Sequence, residues 1–188
     1  KNAIKHDLVR SRFTLKRSCC LLWIAIGLLA NSWIQVGVTL SMIIIGKKYG
    51  QLGNRLFLYA HLIAAAEEYG VKLMNPAFAE YAERFPRTRS DLWCHYPELE
   101  ASAGSPHAGS PSRWKRNLVS KTVELTGRGV HYLGGEIRGL KVIRLRTGEQ
   151  CDLASDSFAS QVLSQDVLLQ GWLFRSEHLL NKHAEKVK

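Results

Sequence analysis

Five residues, Met42-Ile43-Ile44-Ile45-Gly46, restrict what this chain can fold into more than any other part of it. A short β-branched run closed by glycine, with no polar alternation, predicts a strand buried on both faces. Such strands belong to parallel sheets covered by helices on either side. The next thirty residues agree with a strand of that kind. Lys47–Gly53 is a glycine-rich loop, and Asn54 suits an N-cap. Leu56, Phe57, Tyr59, Ala60, Ile63, Ala64 and Glu67 recur at helical spacing up to Tyr69, with Gly70 at C′. Val71–Met74 predicts a second strand, closed by Asn75-Pro76. Strand, loop, helix and strand in quick succession make one right-handed crossover unit. The fold class is α/β: a Rossmann-like parallel sheet with flanking helices.

The remainder is less regular. Residues 79–98 read as irregular or partly helical, with Pro86 and Pro97 as breakers, and residues 101–112 as a low-complexity linker or exposed loop. A helix is expected from Arg113 to about Leu125. Glycines 127, 129, 134, 135 and 139 then predict a loop or weak hairpin, and Lys141–Arg146 a half-exposed strand. Val167–Gly171 reads as another short apolar strand, and Ser176 can cap a final helix through Glu177, Leu179, Leu180 and His183.

The formal charge of +10 suggests nucleic acid until its location is considered. Residues 1–17, a basic leader, hold six basic side chains against Asp7, while residues 47–188 hold 20 basic and 15 acidic ones. The body lacks the focused stripe that nucleic-acid binding needs. Arg113-Trp114-Lys115-Arg116 reads as the solvated face of a helix, and no nucleic-acid partner is expected. Residues 18–46 carry no charge. The segment 18–41, with residues 19–40 reaching into the membrane, reads as an apolar N-terminal helix. It would be a single-pass signal anchor with its basic end cytoplasmic. A second reading stays open: Met42 is the natural start and the domain is cytoplasmic. The domain proper is then 42–188.

The residues that carry chemistry are Gly50, Gln51, Gly53, Asn54 and Arg55. Glycines at 50 and 53 let the backbone take positive φ and approach a ligand. The first helical turn offers unpaired N–H groups and a positive dipole end, suited to phosphate or sugar hydroxyls, with Arg55 as a cation beside it. The spacing matches neither G-x-G-x-x-G nor G-x-x-x-x-G-K-[ST], which disfavours a nicotinamide enzyme and a P-loop NTPase.

A strand followed by Gly50-Gln51-Leu52-Gly53-Asn54-Arg55-Leu56-Phe57-Leu58-Tyr59-Ala60 resembles the amino-terminal motif of α-1,2-fucosyltransferase-like glycosyltransferases. Val167 to Ser176, with Gly171-Trp172 inside it, is similar to that family's later strand-to-helix segment. The resemblance implies one half of a GT-B enzyme, which transfers fucose from GDP-fucose to a glycan hydroxyl without metal or cofactor. It departs from the family at Arg55, where glutamine is usual. The family's donor-binding H-x-R-R-G-D-like motif does not follow Trp172; Ile143–Glu149 looks similar but precedes it and reads as an exposed strand. The resemblance therefore implies the amino-terminal, acceptor-side half, inactive alone. The alternative is a membrane-anchored, non-catalytic domain that binds carbohydrate or protein.

Other constellations carry less. The seven histidines show no H-x-x-x-H or H-x-H spacing, and Cys19, Cys20, Cys94 and Cys151 form no C-x-x-C pair, so no metal is expected. His61 reads as a hydrogen-bonded structural histidine, and Cys94 and Cys151 as unpaired thiols. Cys94-His95 adjacency does not place a nucleophile on a base. Among Asp91, Glu98 and Glu100 one can serve as general base, though solvated carboxylates are the commoner outcome. Trp93 and Tyr96 either stack on a sugar or anchor their loop.

Overall fold

A computed structural model describes residues 41–98 and 110–187. The apolar segment 18–40 and most of the linker 101–112 lie outside them. The elements, in chain order, are β1 (Met42–Ile45), α1 (Leu52–Tyr69), β2 (Lys72–Met74), α2 (Pro86–Arg89), β3 (His95–Tyr96), α3 (Arg113–Tyr132), β4 (Glu136–Ile137), β5 (Leu140–Arg144), β6 (Cys151–Asp152), α4 (Asp156–Ser164), β7 (Asp166–Gln170), β8 (Phe174–Arg175), α5 (Glu177–Lys182) and α6 (Ala184–Val187). Two 3₁₀ turns, Pro76–Phe78 and Ala82–Arg84, lie between β2 and α2.

Six strands form one sheet in the order β3-β2-β1-β7-β5-β4. The inner four are parallel, and β3 and β4 are antiparallel at the edges. β1 pairs on both sides, Ile43 with Leu73 and with Val167. Its alternate side chains then enter two cores. Ile43 and Ile45 meet Leu73, Val167 and Leu169 beneath Leu58, Leu62 and Ala65 of α1, with Phe158 of α4 and Leu179 of α5. Ile44 points the other way, to Leu168, Val142 and the Val123 and Val130 of α3.

The crossovers obey one hand. β1 to β2 and β5 to β7 step in the same direction along the sheet, and α1 and α4 cover the same face. β2 to β5 steps the other way, and α3 covers the opposite face. This is a mixed α/β fold with a mostly parallel sheet and flanking helices.

Several local expectations hold. α1 ends at Tyr69, and Gly70 takes the left-handed conformation (φ 62°, ψ 33°), donating its N–H to Ala66 O. The hydroxyl oxygen of Ser176 accepts from Leu179 N–H at the head of α5. Cys94 and Cys151 are free thiols. Others need correction. Asn54 is not the N-cap: α1 begins at Leu52 and Gln51 is the capping position. α3 runs seven residues past Leu125, through Gly127 and Gly129. At Gly127 an added Cβ would lie 2.4 Å from Gln170 Nε2 and 2.7 Å from Leu168 Cδ2, so glycine here permits close helix–sheet packing rather than breaking the helix. The hairpin beyond α3 is real. Arg138 (φ 46°) and Gly139 (φ 80°) make the two-residue turn between Ile137 and Leu140. β5 is the half-exposed strand expected, with Val142 buried and Arg144 exposed, and it pairs on both sides, with β4 and β7.

Arg116 is the sharpest correction. It is fully buried, not on a solvated face. Its guanidinium donates to the carbonyl oxygens of Thr88, Arg89 and Asp91, and its Nε to that of Pro111. Carbonyls at the end of α2 carry the negative pole of that turn, which suits a buried cation.

Gly127→Val is expected to destabilise the fold by about 1–3 kcal/mol through overpacking against Gln170 and Leu168. A denaturant midpoint unchanged from that of the parent protein would contradict the packing account.

Candidate functional site

The chain leaving β1 enters α1 on one face of the sheet, whereas the chain leaving β2 goes on to α3 on the other. Ligands of open α/β sheets bind outside the carboxyl ends of the strands, and a small crevice lies there between β1 and β2. The glycine turn lies at this end of the sheet. Lys47 and Tyr49 line the crevice from the β1 side, Arg55 and Leu58 from α1, and Asn75 and Ala77 from the β2 side.

The turn is built as the glycines suggest. Gly50 has φ +62°, and an added Cβ would meet Asn54 Nδ2 at 2.5 Å, so both backbone and space demand glycine. Gly53 differs: a Cβ there would meet nothing within 4 Å. Packing does not require glycine at 53, which leaves room above the first turn. Gln51, Gly53 and Asn54 are exposed, and no side chain caps the helix. The head of α1 therefore keeps amide donors open to solvent.

Arg55 is placed differently from a free cation. Its Nε donates to Gly50 O at 3.1 Å, and its Nη1 to Glu80 at 2.9 Å. The guanidinium also lies 5.0 Å from the Tyr81 ring centroid. Lys48 reaches the same carboxylate at 3.0 Å. The hydrogen bond from Lys48 holds the Glu80 carboxyl below its ordinary range, aided by Arg55 and opposed by burial. Two cations thus share one anion, and the interior of the crevice is filled to about 10 Å³, room for one water at most. What remains for a ligand is the outer surface of the turn.

No protein-family model, curated protein or solved structure matches this chain. Among the described residues there is no metal-binding group of three or more His, Cys, Asp or Glu, and no helix is long and apolar enough to cross a membrane.

A second constellation has no counterpart in the sequence pattern. Asp91 is not a solvated carboxylate. It accepts from the backbone N–H groups of Trp93 and His95 and lies 2.8 Å from His95 Nδ1, the two side chains being 11% and 6% exposed. Burial would raise its pKa, but the hydrogen bonds from the His95 ring and from the two amides outweigh that and lower it. Cys94, between them, sits in the left-handed region at φ 51°, and burial pushes its thiol up to about 12, so it stays protonated and unreactive. Tyr96 spends its hydroxyl on Glu67 at 2.8 Å. The i, i+4 spacing of Asp91 and His95 carries no helical signal, and only the turn at 91–94 brings them together. His61 is structural as expected: buried, with Nδ1 against the Ser176 backbone at 3.2 Å.

The two glycines of the turn should respond oppositely to alanine. Gly50→Ala should cost about 1–2 kcal/mol, the penalty of a left-handed non-glycine residue. Gly53→Ala should leave stability unchanged or raise it by up to about 1 kcal/mol, as alanine favours a helix. Chemical denaturation of both variants checks this. Glu80 has a folded-state pKa below its unfolded value, so its contribution is present above pH 4.5 and disappears as pH falls through the folded pKa. Glu80→Gln should thus cost about 1 kcal/mol or less at neutral pH for this partly exposed triad. In acid the two proteins should become equally stable, as unfolding at graded pH would reveal.

Proposed function

We propose that this domain is the amino-terminal, acceptor-side domain of a fucosyltransferase-like glycosyltransferase, one Rossmann-like half of a GT-B arrangement. Its turn at Gly50, Gln51, Gly53, Asn54 and Arg55 would face the sugars. The observation that carries the reading is the uncapped head of α1 at the carboxyl end of β1, with space above Gly53 that packing does not explain. The resemblance of the strand–turn–helix motif supplies the substrate class, GDP-fucose and a glycan hydroxyl.

Electrostatics narrows the role of the turn. A leaving diphosphate needs uncompensated positive charge or a dense set of donors. Lys48 and Arg55 are both engaged on the one Glu80 carboxylate, which leaves a single net positive charge among the three. Exposed amides and the Asn54 side chain suit neutral sugar hydroxyls better. Arg55 then serves by holding Gly50, through its bond to that carbonyl, and not by touching phosphate. The alternative, a carbohydrate-binding domain without catalysis, draws support from the filled crevice, since a flat surface binds sugars without enclosing a reaction. A membrane anchor in residues 19–40 and a cytoplasmic amino terminus are compatible with either.

Titration of the full chain with GDP-fucose, followed by amide resonances, tests the proposal. The Gln51, Gly53 and Asn54 amides should shift with GDP-fucose and much less with GDP, and Asn54→Ala should weaken the effect several-fold, the value of one hydrogen bond. Absence of any shift at millimolar GDP-fucose, or equal shifts with GDP, would remove the sugar from the turn.

A further inference from the structure

A cavity of about 470 Å³ lies between α1 and the segment 85–98, with Val187 of α6 at its rim. That volume falls within the range of small-molecule sites, about 300–1,000 Å³. It is distinct from the crevice at the glycine turn, with which it shares no lining residue. Leu56, Ala60 and Ile63 form one wall, a stripe along α1, and the rings of Tyr59, Phe78, Phe85 and Tyr96 line others.

The polar groups on the walls are mostly committed as donors. The Tyr59 hydroxyl donates to Cys94 O, that of Tyr96 to Glu67, and that of Thr88 to Ala82 O. Arg87 is held 3.4 Å from Glu98. His95 and Lys186, which also lines the cavity, are the exceptions among the described residues. With Asp91 fixing Nδ1 as the protonated nitrogen, Nε2 of the neutral ring is an acceptor. Nε2 has no hydrogen-bond partner among the described residues, and His95 lines the cavity. The Glu98 carboxylate adds a second acceptor at the wall.

Acceptors beside aromatic faces complement a ligand with hydroxyl donors on one edge and C–H groups on its flat side. We propose that this cavity binds a saccharide or an aryl glycoside, with one hydroxyl donating to His95 Nε2 and Asp91 holding the ring for it. This goes beyond the transferase reading, because it needs neither the glycine turn nor a nucleotide sugar. Asp91 is a positioning residue here, and His95 is the group that touches the ligand.

The test uses the full chain with labelled histidine rings, in mildly alkaline solution, with para-nitrophenyl glycosides as probes and nitrobenzene as the hydroxyl-free control. The His95 ring should be the Nδ1–H tautomer. Glycosides should move its Nε2 resonance, and nitrobenzene should not. Leu56→Trp, at a helix position already 36% exposed, should fill the mouth and abolish the shift while the spectrum stays folded. Asp91→Asn should lose the fixed tautomer and weaken glycoside binding at least several-fold. An Nε2–H tautomer, no glycoside shift at millimolar concentration, an equal shift with nitrobenzene, or a shift that survives Leu56→Trp would each overturn the proposal. GDP-fucose shifts at Gln51–Asn54 are read separately, so failure at the turn and failure at the cavity stay distinguishable.

Discussion

β1 is four residues long and hydrogen-bonded on both edges, and this double pairing decides most of the molecule. A strand inside a parallel sheet cannot be joined to its neighbours by a tight turn, so each link must be a crossover. Because crossovers share one hand, the side of each helix is fixed by the direction of each step. α1 and α4 go to one face and α3 to the other. The glycine turn sits where it does as a consequence of pairing, not of any property of its own.

Beyond the sheet, order depends on a buried cation. Arg116 reaches from the first turn of α3 to carbonyls at residues 88, 89, 91 and 111. A buried guanidinium is tolerated because its donors are met, by two carbonyls at the end of α2, one just beyond it and one just before α3. One of them belongs to Asp91, whose carboxylate in turn binds His95. The segment carrying the Asp91–His95 pair is thus anchored from behind by α3 and laterally by β3, which pairs Tyr96 with Leu73 and His95 with Met74.

These couplings explain which parts are legible in the sequence. β1, α1, β2, β7 and the Ser176 cap depend on local signals: β-branched runs, helical spacing, a glycine at C′, a hydroxyl before a helix. Gly127 reads locally as a breaker because its reason, contact with Leu168 and Gln170, lies 41 or more positions away in the chain. Arg116 resembles its three surface neighbours because nothing local distinguishes a charge met by distant carbonyls from one met by water. Asp91 and His95 stand out singly but not as a pair, since a non-helical turn brings them together. At the glycine turn the positions can be named, but the pairing of Arg55 with Glu80 cannot, because Glu80 comes after β2.

α1 ties the two candidate sites together through its own pattern. Leu58, Leu62 and Ala65 face the sheet, as an amphipathic helix requires. Leu56, Ala60 and Ile63, spaced by four and three, make a second apolar stripe on a different face, and the cavity runs along it. A helix that covered a sheet and then met only solvent would carry polar residues there. The second stripe instead continues the apolar wall begun by Phe78 and Phe85, and the polar group opening onto it is an oriented imidazole. Apolar surface of this extent with a directed acceptor is the composition of a binding cavity, whereas a packing defect would leave the acceptor without a role.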